Sequence, residues 1–171
     1  FRHPDDAGEI ARLLRSVAQF PERSHLVGAY ALGKAQRVIR LLREGGWHGT
    51  VYAHGALDRL NALYERHGID LGPIAPATVA ARGKADFAGA IVVGPPSALA
   101  DRWGRRFPDP VLAFASGWMQ VRARARQRGV ELPLVISDHA DWDELTATVD
   151  ELRPGELWIT HGREEALARW A

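Results

Sequence analysis

The sequence contains no cysteine among its 171 residues, which excludes disulfide frameworks, thiolate zinc sites and cysteine nucleophiles. No apolar run approaches the roughly 18–20 residues that a membrane-spanning helix needs. A charge excess is missing as well, because 22 basic and 21 acidic residues leave a net charge of +1, so no global charge attracts nucleic acid. What is present is 46% hydrophobic and 25% charged residues, the composition of an ordinary globular domain. No secretory signal is visible, and we expect a cytoplasmic protein.

Lysine is scarce, because Lys34 and Lys84 are the two lysines among the 22 basic residues and the others are arginine. Arginine favours bidentate contacts with phosphate, which would suit a nucleic-acid partner. A genome rich in alanine and arginine codons explains the same bias without any function. The bias is therefore compatible with phosphate binding but does not indicate it.

Short apolar segments alternate with helical segments along the chain. Such continuous apolar strands, separated by helices, are typical of a parallel sheet that is covered on both faces. The predicted strands are residues 25–30, 50–53, 88–93, 111–114, 134–136 and 157–159. The predicted helices are residues 5–20, 34–44, 56–66, 97–103, 141–152 and 163–170, and residues 71–84 are expected to be irregular. We predict an α/β fold whose parallel-rich sheet is flanked by helices and binds ligands at the carboxyl ends of its strands.

Two histidines each follow a predicted apolar strand directly, His139 in the sequence SDHAD and His161 in the sequence THG. A strand–helix–strand unit brings successive strand ends to the same edge of a sheet, so both imidazoles are expected at one edge. Imidazole binds zinc and transfers protons near neutral pH. Two histidines are fewer than a zinc site requires, and ordinary loop histidines remain an alternative. Asp141 with Glu144 fits a helix capping box.

Three sequence blocks resemble the β-CASP group of metallo-β-lactamase nucleases and occur in that family's order. They are YALGKAQR at residues 30–37, ASGWM at residues 115–119, and SDHAD followed by a helix and THG at residues 137–162. Together they are most similar to the bacterial ligase-associated DNA exonucleases, which are also described as mRNA 3′-end processing factor-like proteins. The resemblance spans nearly the whole chain.

The resemblance implies a split layout. Residues 1–130 would form the β-CASP domain, and residues 131–171 would be the C-terminal return of a metallo-β-lactamase αββα fold. In the family, the His-x-His-x-Asp-His zinc motif and an acidic first β-CASP motif precede this region, and this chain contains neither. The chain is therefore expected to be the C-terminal portion of a nuclease and to be inactive alone.

The family also implies roles for the two histidines. His139 falls on the second β-CASP motif, which acts on the leaving group beside the scissile phosphate, and His161 falls on the third, which binds one of two zinc ions. The implied activity is zinc-dependent hydrolysis of nucleic-acid phosphodiesters, as a DNA exonuclease in DNA repair. The resemblance further implies association with an ATP-dependent DNA ligase and a helicase.

Four further residues are candidates for binding the nucleic-acid strand. Lys34 begins a helix after a glycine turn, a position that suits a phosphate, and Arg37 lies one turn further along the same face. Ser116 and Gly117 offer a hydroxyl and backbone N–H groups in a tight turn. A plain strand–helix connector and a simple turn are the structural alternatives at these two places.

Three other functions compete with a DNA exonuclease. The first is an RNA-processing nuclease of the same fold, since His161 matches RNA-cleaving family members. The second is a binding-only β-CASP module that holds nucleic acid without cutting it. The third is a doubly wound nucleotide- or sugar-binding module, against which the single glycine of the Ala31–Lys34 turn argues, because neither a G-x-G-x-x-G motif nor a P-loop is present.

Overall fold

The computed structural model describes residues 2–77, 87–160 and 164–171. The helices are α1 (Asp6–Gln19), α2 (Lys34–Glu44), α3 (Asp58–Arg66), α4 (Pro96–Ala100), α5 (Arg122–Gln127), α6 (Trp142–Leu152) and α7 (Glu164–Trp170). The strands are β1 (His25–Gly28), β2 (Val51–Ala53), β3 (Ile74–Pro76), β4 (Ile91–Gly94), β5 (Val111–Ala115) and β6 (Leu132–Leu134). Short 3₁₀ turns lie at Gly55–Leu57, Gly104–Arg106 and Gly117–Gln120.

The strands form one six-stranded sheet in the order β3-β2-β4-β1-β5-β6. Every pair of neighbours is parallel. Parallel neighbours need crossover connections, which the intervening helices and loops supply. The predicted α/β fold with a parallel sheet flanked by helices is therefore confirmed.

Side chains of the central strands alternate between two apolar cores. In β1, Leu26 packs into one core and Val27 into the other, and both are completely buried. Helices α1 and α2 cover the face that holds Val27, whereas α4 and the residues around Trp103 cover the face that holds Leu26. Burial on both faces explains why these strands are continuous apolar runs rather than alternating ones.

Helix α2 has the bounds that its sequence predicts. Gly33 precedes it with a φ of 81°, a conformation that glycine adopts without strain. The side chain of Gln36 accepts a hydrogen bond from the Gly33 N–H at 2.9 Å. Val38 and Leu42 are spaced for one face and are buried against the sheet. The turn before the helix is thus held in place by the helix's own first turn.

Three predicted segments differ from the structure. The stretch expected to be irregular contains β3, which pairs with β2 at the edge of the sheet. The strand predicted at residues 134–136 has the wrong bounds, because β6 is Leu132–Leu134. The strand predicted at residues 157–159 is wrong, since these residues form no strand in the structure.

The described residues divide into two compact units, one of residues 3–138 and one that contains Arg2 and the described residues from His139 onward. The first holds the sheet. The domain boundary expected at residue 130 rests on the family resemblance and stays a prediction, as does the metallo-β-lactamase ancestry of the C-terminal part. None of the helices in the described ranges combines the length and apolar character that crossing a bilayer requires.

The C-terminal unit is built on α6 and α7. Asp141 caps α6 as predicted, because its carboxylate accepts from the Glu144 N–H at 3.0 Å and Glu144 accepts from the Asp141 N–H at 2.9 Å. The rings of Trp142 and Trp170 meet edge to face at 6.4 Å. Neither helix buries a residue completely, and Trp158 is 79% exposed. The unit therefore has little apolar core of its own.

Candidate nucleic-acid interface

The carboxyl edge of the sheet brings together residues from all three sequence blocks. Residues 30–37 follow β1, residues 115–119 end β5 and continue beyond it, and residues 137–138 follow β6. These three strands are neighbours in the order β1-β5-β6 and run parallel, so their carboxyl ends adjoin. The blocks that carry the family resemblance thus meet at one edge, which is where ligands bind in open α/β sheets.

Lys34 links the first block to the third. Its ammonium nitrogen lies 2.7 Å from Oδ1 of Asp138, and its side chain is only 2% exposed. It also lies 5.3 Å from the ring centroid of Tyr30. The Asp138 side chain is 32% exposed, so the carboxylate joins a buried cation to the surface. The lysine predicted to meet phosphate is therefore engaged with a carboxylate in this structure.

Arg37 has a different partner from Lys34. Its guanidinium contacts the Asp6 carboxylate at the start of α1, with an Nη2–Oδ2 distance of 2.5 Å. The Arg37 side chain is 49% exposed and the Asp6 side chain 19% exposed. The contact with a nucleic-acid strand that the sequence predicts for Arg37 stays a prediction, and it would share this guanidinium with Asp6.

A buried polar chain supports the turn that presents Lys34. Nε2 of Gln36 donates to Oδ1 of Asn61 in α3 at 2.8 Å, and the Gln36 oxygen accepts from the Gly33 N–H. Gln36 and Asn61 are 1% and 5% exposed, respectively. Hydrogen bonds in such a dry environment are costly to break. The turn before α2 is thus fixed by side chains rather than left to loop flexibility.

The second block approaches the third at Gly117, and Ser116 bonds to the last residue of β6. The Ser116 N–H donates to the Leu134 carbonyl at 3.0 Å, and its hydroxyl accepts from the Trp118 N–H at 3.3 Å. A Cβ atom on Gly117 would lie 2.9 Å from Nε2 of His3 and 3.3 Å from the Ser137 hydroxyl. A side chain at position 117 would therefore require the His3 ring to shift. The sequence does not single out His3, whose proximity here is visible only in the fold.

Beyond that turn, an exposed tryptophan stacks against an arginine. Trp118 is 50% exposed, and the Arg124 guanidinium carbon lies 3.8 Å from its ring centroid. Arg128, which directly follows α5, lies 5.2 Å from the Phe114 ring. Arg122 and Arg126 are exposed on the same short helix. The arginines of α5 therefore form two rows, and one of the rows runs beside aromatic rings.

The structure leaves the predicted histidine pair untested. His139 belongs to the C-terminal unit and is exposed, and His161 lies outside the described residues. In residues 2–77, 87–160 and 164–171, no group of three or more His, Cys, Asp or Glu side chains is arranged to hold a metal ion. Zinc binding, with His161 as a ligand, therefore stays a prediction.

The chain is similar in sequence to a protein whose name refers to DNA ligation. No protein-family model matches the chain. The chain is 27% identical over 176 residues to a protein of Opitutus terrae named "Probable DNA ligase". The alignment covers 94% of this chain and 17% of that protein, so the chain spans about a sixth of the length of the curated relative that it matches.

Proposed function

We propose that this chain is the C-terminal, strand-binding portion of a phosphodiesterase that acts on nucleic acid in DNA metabolism. The observation that carries the proposal is the meeting of the three sequence blocks at the carboxyl edge of the sheet, through the Lys34–Asp138 ion pair and the close approach of Gly117 to Ser137. Residues that serve only the core have no reason to collect at that edge, whereas a ligand site does.

DNA is the proposed substrate, with RNA as the alternative. The relative's name refers to DNA ligation, and the resemblance of the three blocks points to exonucleases that accompany such ligases. We therefore place the chain in the same cellular process as a DNA ligase. The choice between the two nucleic acids is open to direct comparison with oligonucleotides of matched sequence.

His139 is proposed as the residue that acts on the leaving oxygen. An imidazolium can donate a proton to the oxygen that departs when a phosphodiester bond breaks. His161 is proposed as a metal ligand of the intact enzyme. Since the described residues do not form a metal site, its other ligands would come from outside them, and we derive no step from the metal.

The proposal is tested in the intact protein that contains this chain. We expect it to shorten single-stranded DNA from an end, with chelator removing the activity. His139→Ala should lower the cleavage rate by about 100-fold or more while the bound metal content is unchanged. His161→Ala should lower both. His67→Ala is the matched control, because His67 is an exposed histidine at the end of α3 that lies outside all three sequence blocks.

Two outcomes would contradict the proposal. If His139→Ala strips the metal, the histidine is a ligand and not the group that serves the leaving oxygen. If the intact protein binds single strands but never cleaves them, with or without added metal, the chain belongs to a binding module. Preferential cleavage of RNA over matched DNA would keep the chemistry and change the substrate.

A further inference from the structure

We propose that Trp118, backed by Arg124, is a stacking site for an unpaired nucleobase. The inference rests on the proposed nucleic-acid function and names the part of the substrate that this surface would hold. Its starting point is that Trp118 is 50% exposed although it lies next to the sheet edge where the three blocks meet. An indole is a large apolar group, and exposing it forgoes the stabilisation that burial would give.

The indole is held in a defined position. The guanidinium of Arg124 lies 3.8 Å from the ring centroid, which is contact distance for a stacked cation. The backbone N–H of Trp118 donates to the Ser116 hydroxyl. An ordered aromatic side chain loses little rotamer freedom when a ligand stacks on it. A preorganised indole is therefore a better platform than a mobile one.

Trp103 shows what a purely structural tryptophan looks like in this fold. It is 9% exposed, and its ring meets those of Phe107 and His54 edge to face at 5.1 and 4.8 Å. Trp118 instead pairs with a cation at the surface. The difference in surroundings separates a core residue from one that is available to a ligand.

The charge around Trp118 favours a polyanion. Residues 110–130 contain four arginines and no aspartate or glutamate. Arg124 and Arg128 form the row beside the aromatic rings, and Arg122 and Arg126, also four residues apart, form the second row. This local excess of positive charge would attract the phosphodiester backbone while the indole accepts a base.

These two features together specify the ligand class. Bases in a duplex are already stacked on their neighbours, so an indole accepts a base only from a single strand or a frayed end. Stacking tolerates every base, because each one presents a flat face. The site is therefore expected to bind single-stranded nucleic acid with little sequence preference.

The experiment measures the binding of the full 171-residue chain to labelled 12-mers by fluorescence anisotropy at low salt. The probes are oligo(dT), a 12-mer of the same charge with abasic sugars, and oligo(rU). We expect Trp118→Ala to weaken oligo(dT) binding roughly 5- to 100-fold, the loss expected for one stacked base. Trp118→Phe should keep most of the affinity, because a smaller aromatic ring remains.

The abasic probe isolates the stacking contribution. The unsubstituted chain should bind it more weakly than oligo(dT), and Trp118→Ala should leave its affinity within about twofold, since no base is present to stack. Arg124→Gln should weaken oligo(dT) binding more than Arg126→Gln, although each removes one charge from α5. Trp158→Ala is the matched control, because it removes an exposed indole from the other unit.

Several results would overturn the inference. Equal losses on oligo(dT) and abasic probes would mean that Trp118 acts on the fold or the charge and not on a base. An unchanged affinity in Trp118→Ala, or no binding of any 12-mer, would remove the site. Neither result bears on cleavage by the intact protein, which depends on His139 and is measured separately. Equal binding of oligo(dT) and oligo(rU) would leave the site in place for either nucleic acid.

Discussion

The ion pair between Lys34 and Asp138 predicts an asymmetric response to mutation. The lysine is 2% exposed, whereas the aspartate side chain is 32% exposed. Lys34→Met removes the buried charge and keeps a side chain of similar length in the same space. Asp138→Ala removes the carboxylate and leaves a buried ammonium group that still faces the Tyr30 ring.

The loss of unfolding free energy in each variant depends on whether the charge left without its partner is buried or exposed. Removing the partner of a buried charge lowers the free energy of unfolding by about 3–5 kcal/mol. Because water reaches the Asp138 side of the pair, we expect Asp138→Ala to lie at the low end, about 3 kcal/mol. Lys34→Met should cost about 1 kcal/mol, because the stranded carboxylate reaches solvent and apolar volume is conserved. With a slope of about 2 kcal/mol per molar urea, the two unfolding midpoints should differ by about 1 M.

Urea unfolding followed by circular dichroism measures both variants and the double variant Lys34→Met/Asp138→Ala. The double variant should be more stable than Asp138→Ala alone, because it no longer buries an unpaired ammonium. Arg37→Gln is the control, since it breaks an ion pair that is half exposed on the arginine side and should cost less than about 1 kcal/mol. If Lys34→Met proves as damaging as Asp138→Ala, the lysine is not the buried member of the pair and the reasoning fails.

Three further predictions concern a buried histidine and two glycines. Burial, assisted by the nearby charge of Arg23, lowers the pKa of His25 below its usual range, and its ring nitrogen lies 2.9 Å from the Ser16 hydroxyl. The unfolded chain takes up a proton as the pH falls below about 6.5 while folded His25 resists it, so stability should decline there by up to about 1.4 kcal/mol per pH unit. His25→Gln should flatten that decline in urea midpoints measured from pH 7.5 to 5.5, and parallel profiles would contradict the assignment. Gly33→Ala should cost about 1–2 kcal/mol, because its φ of 81° is unfavourable for any residue with a Cβ. Gly8→Ala, in the interior of α1 with open space around the new methyl group, should instead stabilise the chain by up to about 1 kcal/mol, and thermal unfolding of the two variants should show opposite shifts.

Helices were predictable because their signals are local. The start of α2 follows from Gly33 and its end from the glycine pair after Glu44. The capping box of Asp141 and Glu144 involves atoms only three residues apart. Such features depend on the chain's own neighbours and not on distant contacts, and both helices have the predicted bounds to within one residue.

Strand bounds were less predictable because pairing depends on a partner. Val135 and Ile136 are buried as their apolar character indicates. However, β5 ends at Ala115, which is level with Leu134, so no strand remains for them to pair with. The Val135 N–H donates instead to the Glu9 carboxylate of α1 at 2.7 Å. The apolar run predicts burial correctly and strand pairing incorrectly.

The missed strand β3 and the wrongly predicted strand at residues 157–159 both show that strand formation depends on a neighbouring strand. Pro76 makes its segment look irregular, but β3 is at the sheet edge, where a missing N–H costs little. Residues 157–159 are apolar, but no strand within the described residues pairs with them, and Trp158 remains exposed. Hydrophobicity thus indicates that a segment is able to form a strand, whereas the presence of a neighbouring strand determines whether it does.

The candidate site shows the same limit for charged residues. Lys34 and Arg37 are both predicted to contact phosphate, yet each has a carboxylate partner from a segment far away in the sequence. The arginines of α5 lie instead in a stretch that contains no acidic residue. In the proposed function, attraction of a phosphodiester backbone to the sheet-containing unit would therefore centre on α5 and the adjacent Trp118. The buried pair contributes differently, because it anchors Asp138, and Asp138 immediately precedes the histidine on which the proposed chemistry depends.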